Sequence, residues 1–549
     1  MRARPRPTLR RRSRPTGARS RGPTRRPWPV RTPADSGGAD ASPSFPATSD
    51  PVTTAVSAPA GSKTYEVGPG KAYEEPDTVP WGALAEGDVV NIYFRAAPYR
   101  WKLCLRGQGT QQKPIVVNGV TDATGQRPKF DFNGARTASG CNPGGGDDVF
   151  NTASEWSLED YAGIVIRAGV SDDWGTKPKW LQIKNLELTG AAPGNSFTNL
   201  LGQNTPYVDS PAGIWIQPSA DVLVENCVIY DHAFGVFTMA KNGSLDEACE
   251  RITLRNNRIW GNGRDGSYYE HNVYMQSTNP IVEGNYFGPT RPLSEGSTYK
   301  SRSSGEIFRY NYVEASARAV DWVYSEDQTP GIATQADYGT DFAYGNVIVN
   351  DCALGKCASQ PIHYGGDNLG EQEDEATEFV PDTPYRSHLY FFNNTVVNRT
   401  TTQDAWRAFV FDLSLRTTTV DAWNNVFSFT GDTNFSWVQS AGRLNLAGTN
   451  LFFGADVADA RDTALAVNYT VTKGAALKNL DPKFVSATDL HPGAGSAALD
   501  QATGLPAGIA PPSAYVQVPV SMEPSLKANG MTARTQKGAA LDLGAFEAP

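Results

Sequence analysis

The chain has no run of about 18 apolar residues, the length a membrane-crossing helix needs, so no helical span is expected. Charge is scarce: Asp, Glu, Lys and Arg make up 19% of the 549 residues, and there are only five His. Cysteine stops at six, with no CxxC pair and no Cys/His spacing of a zinc site. The first 31 residues hold many Arg and no acid, yet no apolar stretch of the kind a secretory leader carries. Beyond them basic clusters are missing. The net charge of −9 therefore sits on a strongly acidic body, which excludes nucleic acid as the main partner, because phosphate binding needs clustered cations.

Polar uncharged and aromatic residues fill the gap. That balance favours an all-β extracellular protein, since strands take aromatic and β-branched residues while turns take Gly and Asn. Residues 1–62 read as a disordered leader and linker: an Arg-rich arm, then a stretch rich in Gly, Ala, Ser, Pro and Thr over 38–62. The arm is taken as a mis-assigned start or an atypical export leader, the alternative being a basic arm for anionic polymers. The cysteines suit an oxidising compartment, with Cys104–Cys141, Cys227–Cys249 and Cys352–Cys357 as the natural pairs.

After residue 62 the chain repeats itself. VLVENCVIYD from Val222, ITLRNNRIWG from Ile252, PIVEGNYFGP from Pro280, EIFRYNYVEA from Glu306, DFAYGNVIVN from Asp341, LYFFNNTVVN from Leu389 and VDAWNNVFSF from Val420 share one pattern. An apolar–x–apolar run meets a polar turn and then apolar residues resume; WLQIKNLELTG from Trp180 is an earlier member. Asn185, Asn226, Asn257, Asn285, Asn311, Asn346, Asn394 and Asn425 mark the turn. Such a period with insertions indicates a solenoid. Asn tolerates the left-handed backbone that a bend requires, and stacked Asn side chains can bond along the axis. The reading is an all-β, right-handed parallel β-helix, with the coils over 63–475 and their end and cap over 476–549.

A second strand follows each turn: AGIWIQ from Ala212, FGVFTM from Phe234, HNVYMQ from His271, STYKSR from Ser297, RAVDWV from Arg318 and PIHYGG from Pro361. Side chains alternate between faces along a strand. If Ile214, Val236, Val273, Tyr299, Val320 and Ile362 point inward, one outward column reads Trp215, Phe237, Tyr274, Lys300, Asp321, His363. A second reads Gly213, Gly235, Asn272, Thr298, Ala319, Pro361. The aromatic stripe of Trp215, Phe237 and Tyr274 suits stacking on sugar rings. Lys300, between Tyr274 and Asp321, is the central candidate, either as a general base or as a neutraliser of a substrate carboxylate.

Two resemblances follow from these residues. HPGAGSAALDQATGLP from His491 and the terminal KGAALDLGAFEAP resemble the closing motif of many extracellular β-helix proteins, and TYEVGPGKAYEEPDTVPWGALAEGDVVNIYF from Thr64 resembles their opening coil. Lys300-Ser301 followed by Arg309-x-Asn311 resembles the signature of the alginate lyase and chondroitinase B family of polysaccharide lyases. That resemblance implies a parallel β-helix with Lys300 as base, Arg309 in the site, and calcium as a possible neutraliser of the uronate. The family's active-site arginine lies about one coil further on, in an Arg-His-Gly context. Here that place holds Arg318-Ala-Val-Asp321-Trp-Val.

The expected activity is therefore β-elimination on an acidic, uronate-containing polysaccharide by a secreted, monomeric protein. Lys300 is the base, Arg302, Arg318 or calcium the neutraliser, and Tyr274, His271 or His363 the proton donor. Asn272 and Arg309 join Trp215 and Phe237 in binding. Hydrolysis, pairing Asp321 with Glu270 or Asp265, is the alternative, as is glycan binding without catalysis. The acidic insertion GGDNLGEQEDEATEFVPD from Gly365 is a candidate for calcium binding or for a lip over the cleft.

Overall fold

The computed structural model describes residues 51–142, 158–168, 176–240, 245–325, 331–332, 334–351, 360–366, 386–401, 407–413, 417–431, 434–440, 442–454, 469–473, 477–511, 520–525 and 530–549. Each repeat pairs with the following repeat. Strand Thr253–Arg255 leads through a turn into Arg258–Trp260, and a longer loop leads into Val273–Met275. The next coil repeats this with Ile281–Glu283, Tyr286–Phe287 and Tyr299–Ser301. All three pairs are parallel and in register: Thr253 opposite Ile281, Arg258 opposite Tyr286, Val273 opposite Tyr299. Continued along the chain, this stacks three long sheets of 15, 13 and 11 strands among the described residues. The outcome is a parallel β-helix, as the repeat predicts.

The core lies inside the coils. Leu254, Val282, Phe308 and Ala343 line one wall, Ile259, Phe287, Val313 and Ile348 the second, and Val273, Tyr299, Val320 and Ile362 the third, all fully buried. Each large apolar side chain so buried stabilises by about 1.5–3 kcal/mol.

The Asn turn consists of two rows. Asn257, Asn285, Asn311, Asn346, Asn394, Asn425 and Asn450 form a buried ladder in which each Nδ2 donates to the next Oδ1 at 3.0–3.1 Å. The Asn311 Nδ2 also donates to the Val282 carbonyl (2.8 Å), and the Asn285 backbone N–H donates to the Asn311 Oδ1 (3.0 Å). Both donors and the acceptor of the buried amide are satisfied. The left-handed position is the residue just before: Asn226, Asn256, Gly284, Tyr310, Gly345, Asn393 and Asn424, with φ of 51–66°. Asn185 and Asn226 therefore belong to the left-handed row. In the coil of Asn226 the ladder place is taken by Cys227, whose N–H donates to the Asn257 Oδ1 (2.9 Å).

Other expectations are corrected. Residues 51–62 are ordered against the first coils: Thr53 Oγ1 donates to the Gly119 carbonyl (2.7 Å), and Val56 N–H to the Asn91 Oδ1 (3.0 Å). Side-chain amides of the opening coils supply partners that composition does not reveal. The expected disorder of the Arg-rich arm falls outside the described residues. Cys104–Cys141 is a disulfide, whereas Cys227 and Cys249 are buried free thiols. Cys227 occupies a turn and Cys249 opens a strand of the next coil, each thiol donating to nearby carbonyls. Cys352 and Cys357 lie outside the described residues. The C-terminal segment runs along the outer flank: Ala498 and Leu543 pack on Val426 and Leu451, and Val520 on the Tyr310–Tyr344–Phe392–Trp423 stack.

Candidate active site

Strand alternation and parallel register place one outward column on the 13-stranded sheet. Trp215 pairs with Phe237, Phe237 with Tyr274, Tyr274 with Lys300, Lys300 with Asp321, Asp321 with His363, and His363 with Asp412. Successive rungs lie roughly 4.8 Å apart. The column read from sequence is thus present in the expected order, backed by the six buried inward residues. Asp412 extends it by one rung that the sequence reading missed.

The polar half is a tight cluster. Lys300 Nζ lies 3.3 Å from Asp321 Oδ2, and Arg318 Nη1 and His363 Nδ1 lie 3.0 and 2.6 Å from Asp321 Oδ1. Arg318 also approaches within 3.0 Å of the His363 Nδ1, which cannot both accept from it and donate to Asp321. The shorter contact to a carboxylate assigns the proton to Nδ1, so Arg318 bonds Asp321 and merely neighbours the ring. Burial acts to raise the Asp321 pKa, but Lys300, Arg318 and His363 together outweigh it and hold the carboxyl well below the usual range. Asp321 is therefore held as the carboxylate at neutral pH, an anchor for the cations and not a general acid. Arg318 Nη2 also faces Asp412 Oδ2 at 3.9 Å.

In the aromatic half the rings stack on one another. Trp215 and Phe237 centroids are 4.2 Å apart, Phe237 and Tyr274 5.2 Å, and His271 and Tyr274 5.7 Å. Trp215 is only 7% exposed and meets the Tyr161 ring edge-on. The expected platform is corrected here: Phe237 is sandwiched and Trp215 covered, so neither offers an open ring face. Tyr274 is half-buried, and its Oη accepts from Arg302 Nε (2.8 Å), while Arg302 Nη1 donates to the Tyr324 carbonyl (2.8 Å).

The remaining candidates separate. His271 is buried, its Nδ1 accepting from the Ser297 N–H (2.8 Å), and so positions Tyr274 instead of meeting substrate. His363 is buried behind Asp321 and orients it. Asn272 is an interior pin: it accepts from Asn262 Nδ2 (3.0 Å) and donates to the Gly288 carbonyl (2.7 Å), because the strand starts only at Val273. The second outward column fails with it, since Thr298 is buried and donates to the Glu314 carbonyl. Arg309 lies on the 15-stranded sheet, bound to Glu283 (2.6 Å) and the Tyr344 Oη (2.9 Å). Glu270 is buried against Ser210, and Asp265 is an exposed loop residue.

A buried polar network underlies this wall. Glu306 Oε1 accepts from the Tyr299 Oη (2.8 Å) and Trp322 Nε1 (2.9 Å), and its Oε2 from Arg386 Nη2 (3.0 Å) and the Ser301 hydroxyl. Asp341 Oδ2 accepts from the Tyr364 Oη (2.9 Å). Tyr299 and Ser301 flank Lys300, Trp322 follows Asp321, and Tyr364 follows His363. One interior cluster therefore holds the backbone of all three polar rungs. Burial pushes the Asp341 carboxyl up to about 7, Arg386 pulling it down and Glu306 adding to the rise. Alternation could have signalled the cluster, since Tyr299, Ser301, Trp322 and Tyr364 put four polar groups inside.

Calcium does not fit the described wall, because the Asp321 oxygens face Lys300, Arg318 and His363. Among the described residues no group of three His, Cys, Asp or Glu is placed to hold a metal. Most of the acidic insertion, residues 367–382, lies outside the described residues. No described helix is long and apolar enough to cross a membrane.

Residues 181–334 match the family model described as "Right handed beta helix region", which supplies the hand of the coil. Curated proteins give no match. Among solved structures, pectate lyase Pel9A is similar at 12% identity and a TM-score of 0.42, over 89% of this chain and 98% of that one. An alginate lyase from Paenibacillus sp. is similar at 12% identity and 0.37, over 64% and 93%. A GH136 lacto-N-biosidase from Eubacterium ramulus is similar at 13% identity and 0.35, over 70% and 68%.

Proposed function

We propose that this chain is a secreted, polysaccharide-active β-helix protein that cleaves a uronate-containing polymer by β-elimination at the Tyr274–Lys300–Asp321–His363 wall. The observation that carries the reading is Lys300 in register between a half-buried phenol and an anchored carboxylate, with Arg302 and Arg318 on either side. β-Elimination needs the uronate charge neutralised, a base for the C5 proton, and a proton for the leaving O4 as the C4–C5 double bond forms. Lys300 Nζ lies 3.3 Å from Asp321 Oδ2, on the same wall as the Arg302 and Arg318 guanidiniums. This assigns Lys300, with Arg302 and Arg318, to the substrate carboxylate. Tyr274, its oxygen accepting from Arg302 Nε, takes the C5 proton as the phenolate and delivers it to the leaving O4, so the proton lost at C5 is the one gained at O4.

Hydrolysis is the second reading, favoured by Asp412. It lies two rungs from Asp321, and one guanidinium reaches both carboxyls, Arg318 Nη1 at 3.0 Å from Asp321 and Nη2 at 3.9 Å from Asp412, which brings two acids to the same wall as a glycosidase requires. Incubation with alginate, pectate, chondroitin, hyaluronan and gellan separates the two. New reducing ends accompanied by the ultraviolet absorbance of unsaturated uronate support elimination. Reducing ends without that chromophore support hydrolysis, and neither product refutes both.

A further inference from the structure

The loops bordering one edge of the wall carry exposed apolar side chains. Tyr268 and Tyr269 are 60% and 62% exposed, with ring centroids 4.3 Å apart, and Leu293 on the next coil's loop is 49% exposed. Large exposed rings on a solenoid need an occupant or a reason. These are not on a loose segment. Gly266 N–H donates to the Leu293 carbonyl (2.8 Å), Gly263 N–H to the His232 carbonyl (3.1 Å), and Asp265 bridges to Ser294. Arg264 lies 3.1 Å from Asp209 of the loop two coils earlier, and the buried Glu270 accepts from Ser210 there (2.5 Å). Loops of four successive coils are thus laced into one rim. Tyr269 is two residues from His271, whose ring stacks on Tyr274, so the rim continues directly into the wall.

We infer that Tyr268 and Tyr269 form a sugar-stacking subsite that holds a polysaccharide chain beside Tyr274 and Lys300. This rests on the polysaccharide reading above and deepens it. The stacking that Trp215 and Phe237 cannot offer, because their faces are covered by neighbours, is supplied by the outer faces of two rings that pack on each other yet stay largely exposed at the rim. The C–H faces of pyranose rings pack on such aromatic faces, and a pre-ordered loop lowers the entropy lost on binding. The two hydroxyls, 3.0 Å apart, add hydrogen-bonding capacity at the ring edges.

The test is electrophoretic retardation in gels cast with each of the five polymers, which needs no catalysis. Wild type is expected to be retarded by at least one polymer. In that gel Tyr268→Ala/Tyr269→Ala should bind about tenfold or more weakly, while Tyr268→Phe/Tyr269→Phe keeps most of the affinity. Equal retardation of wild type and the double alanine variant overturns the subsite and leaves the polysaccharide reading standing. Failure of wild type to be retarded in any gel overturns both. A wild-type dimer that the alanine pair converts to monomer, with retardation unchanged, assigns the rings to a second copy and also overturns the subsite.

Discussion

At the scale of single residues the wall works by opposed charges. Asp321 anchors Lys300, Arg318 and His363, while beneath it Asp341 is buried with its pKa raised to about 7. The two carboxyls act on stability in separate pH windows. Asp321, depressed when folded, contributes stability above its unfolded pKa of about 4 that is lost only in stronger acid. Asp341, raised when folded, binds its proton more tightly in the native state. The stability it contributes is full below about 4 and is lost as pH rises toward 7, then stays level. Between pH 5 and 8 the wild-type melting temperature should therefore carry a falling component that Asp341→Asn removes. Thermal melts across that range check it, and an unchanged slope in the variant contradicts the assignment.

At the scale of elements, the ladder turns carry the coil. Replacing Asn311 by Ala leaves the Val282 carbonyl and Asn285 N–H buried without their partner, at a cost of about 2–4 kcal/mol. Denaturant midpoints measure this, and a loss under about 0.5 kcal/mol would refute the ladder's role. Much of this architecture was legible, because alternation and the recurring Asn report strand faces and turns directly. The column from Trp215 to His363 came from the same rule. What stayed illegible depended on a neighbour one residue away or many coils distant. Asn185 and Asn226 read as one row with Asn257, yet they sit one position earlier, in the left-handed place, and bond along the axis to each other and to Asn118. Asn272 precedes its strand and turns inward. Arg309 matches a motif yet faces Glu283 on another sheet. Arg386 and Asp412 reach the wall across long insertions, where the repeat gives no spacing to count.

At the scale of the whole molecule, the coils, the covered flank and the opening disulfide form one framework for a single exterior wall. Burial raises the Cys227 and Cys249 thiols to about 11 and about 12, so both should resist alkylation in the native protein and react once it unfolds. Peptide mapping after differential labelling checks this. Labelling of either in the native state, or a Cys227–Cys249 disulfide peptide, contradicts the turn structure. The framework matters for function because it sets Lys300 between Tyr274 and Asp321 at rung spacing. The most direct measurement follows ultraviolet absorbance over time, on the polymer that wild type cleaves, for wild type and a Lys300→Ala variant with an unchanged circular dichroism spectrum. A rising signal with wild type and a flat trace with the variant is the predicted result, and a variant trace that climbs at the wild-type rate contradicts the account.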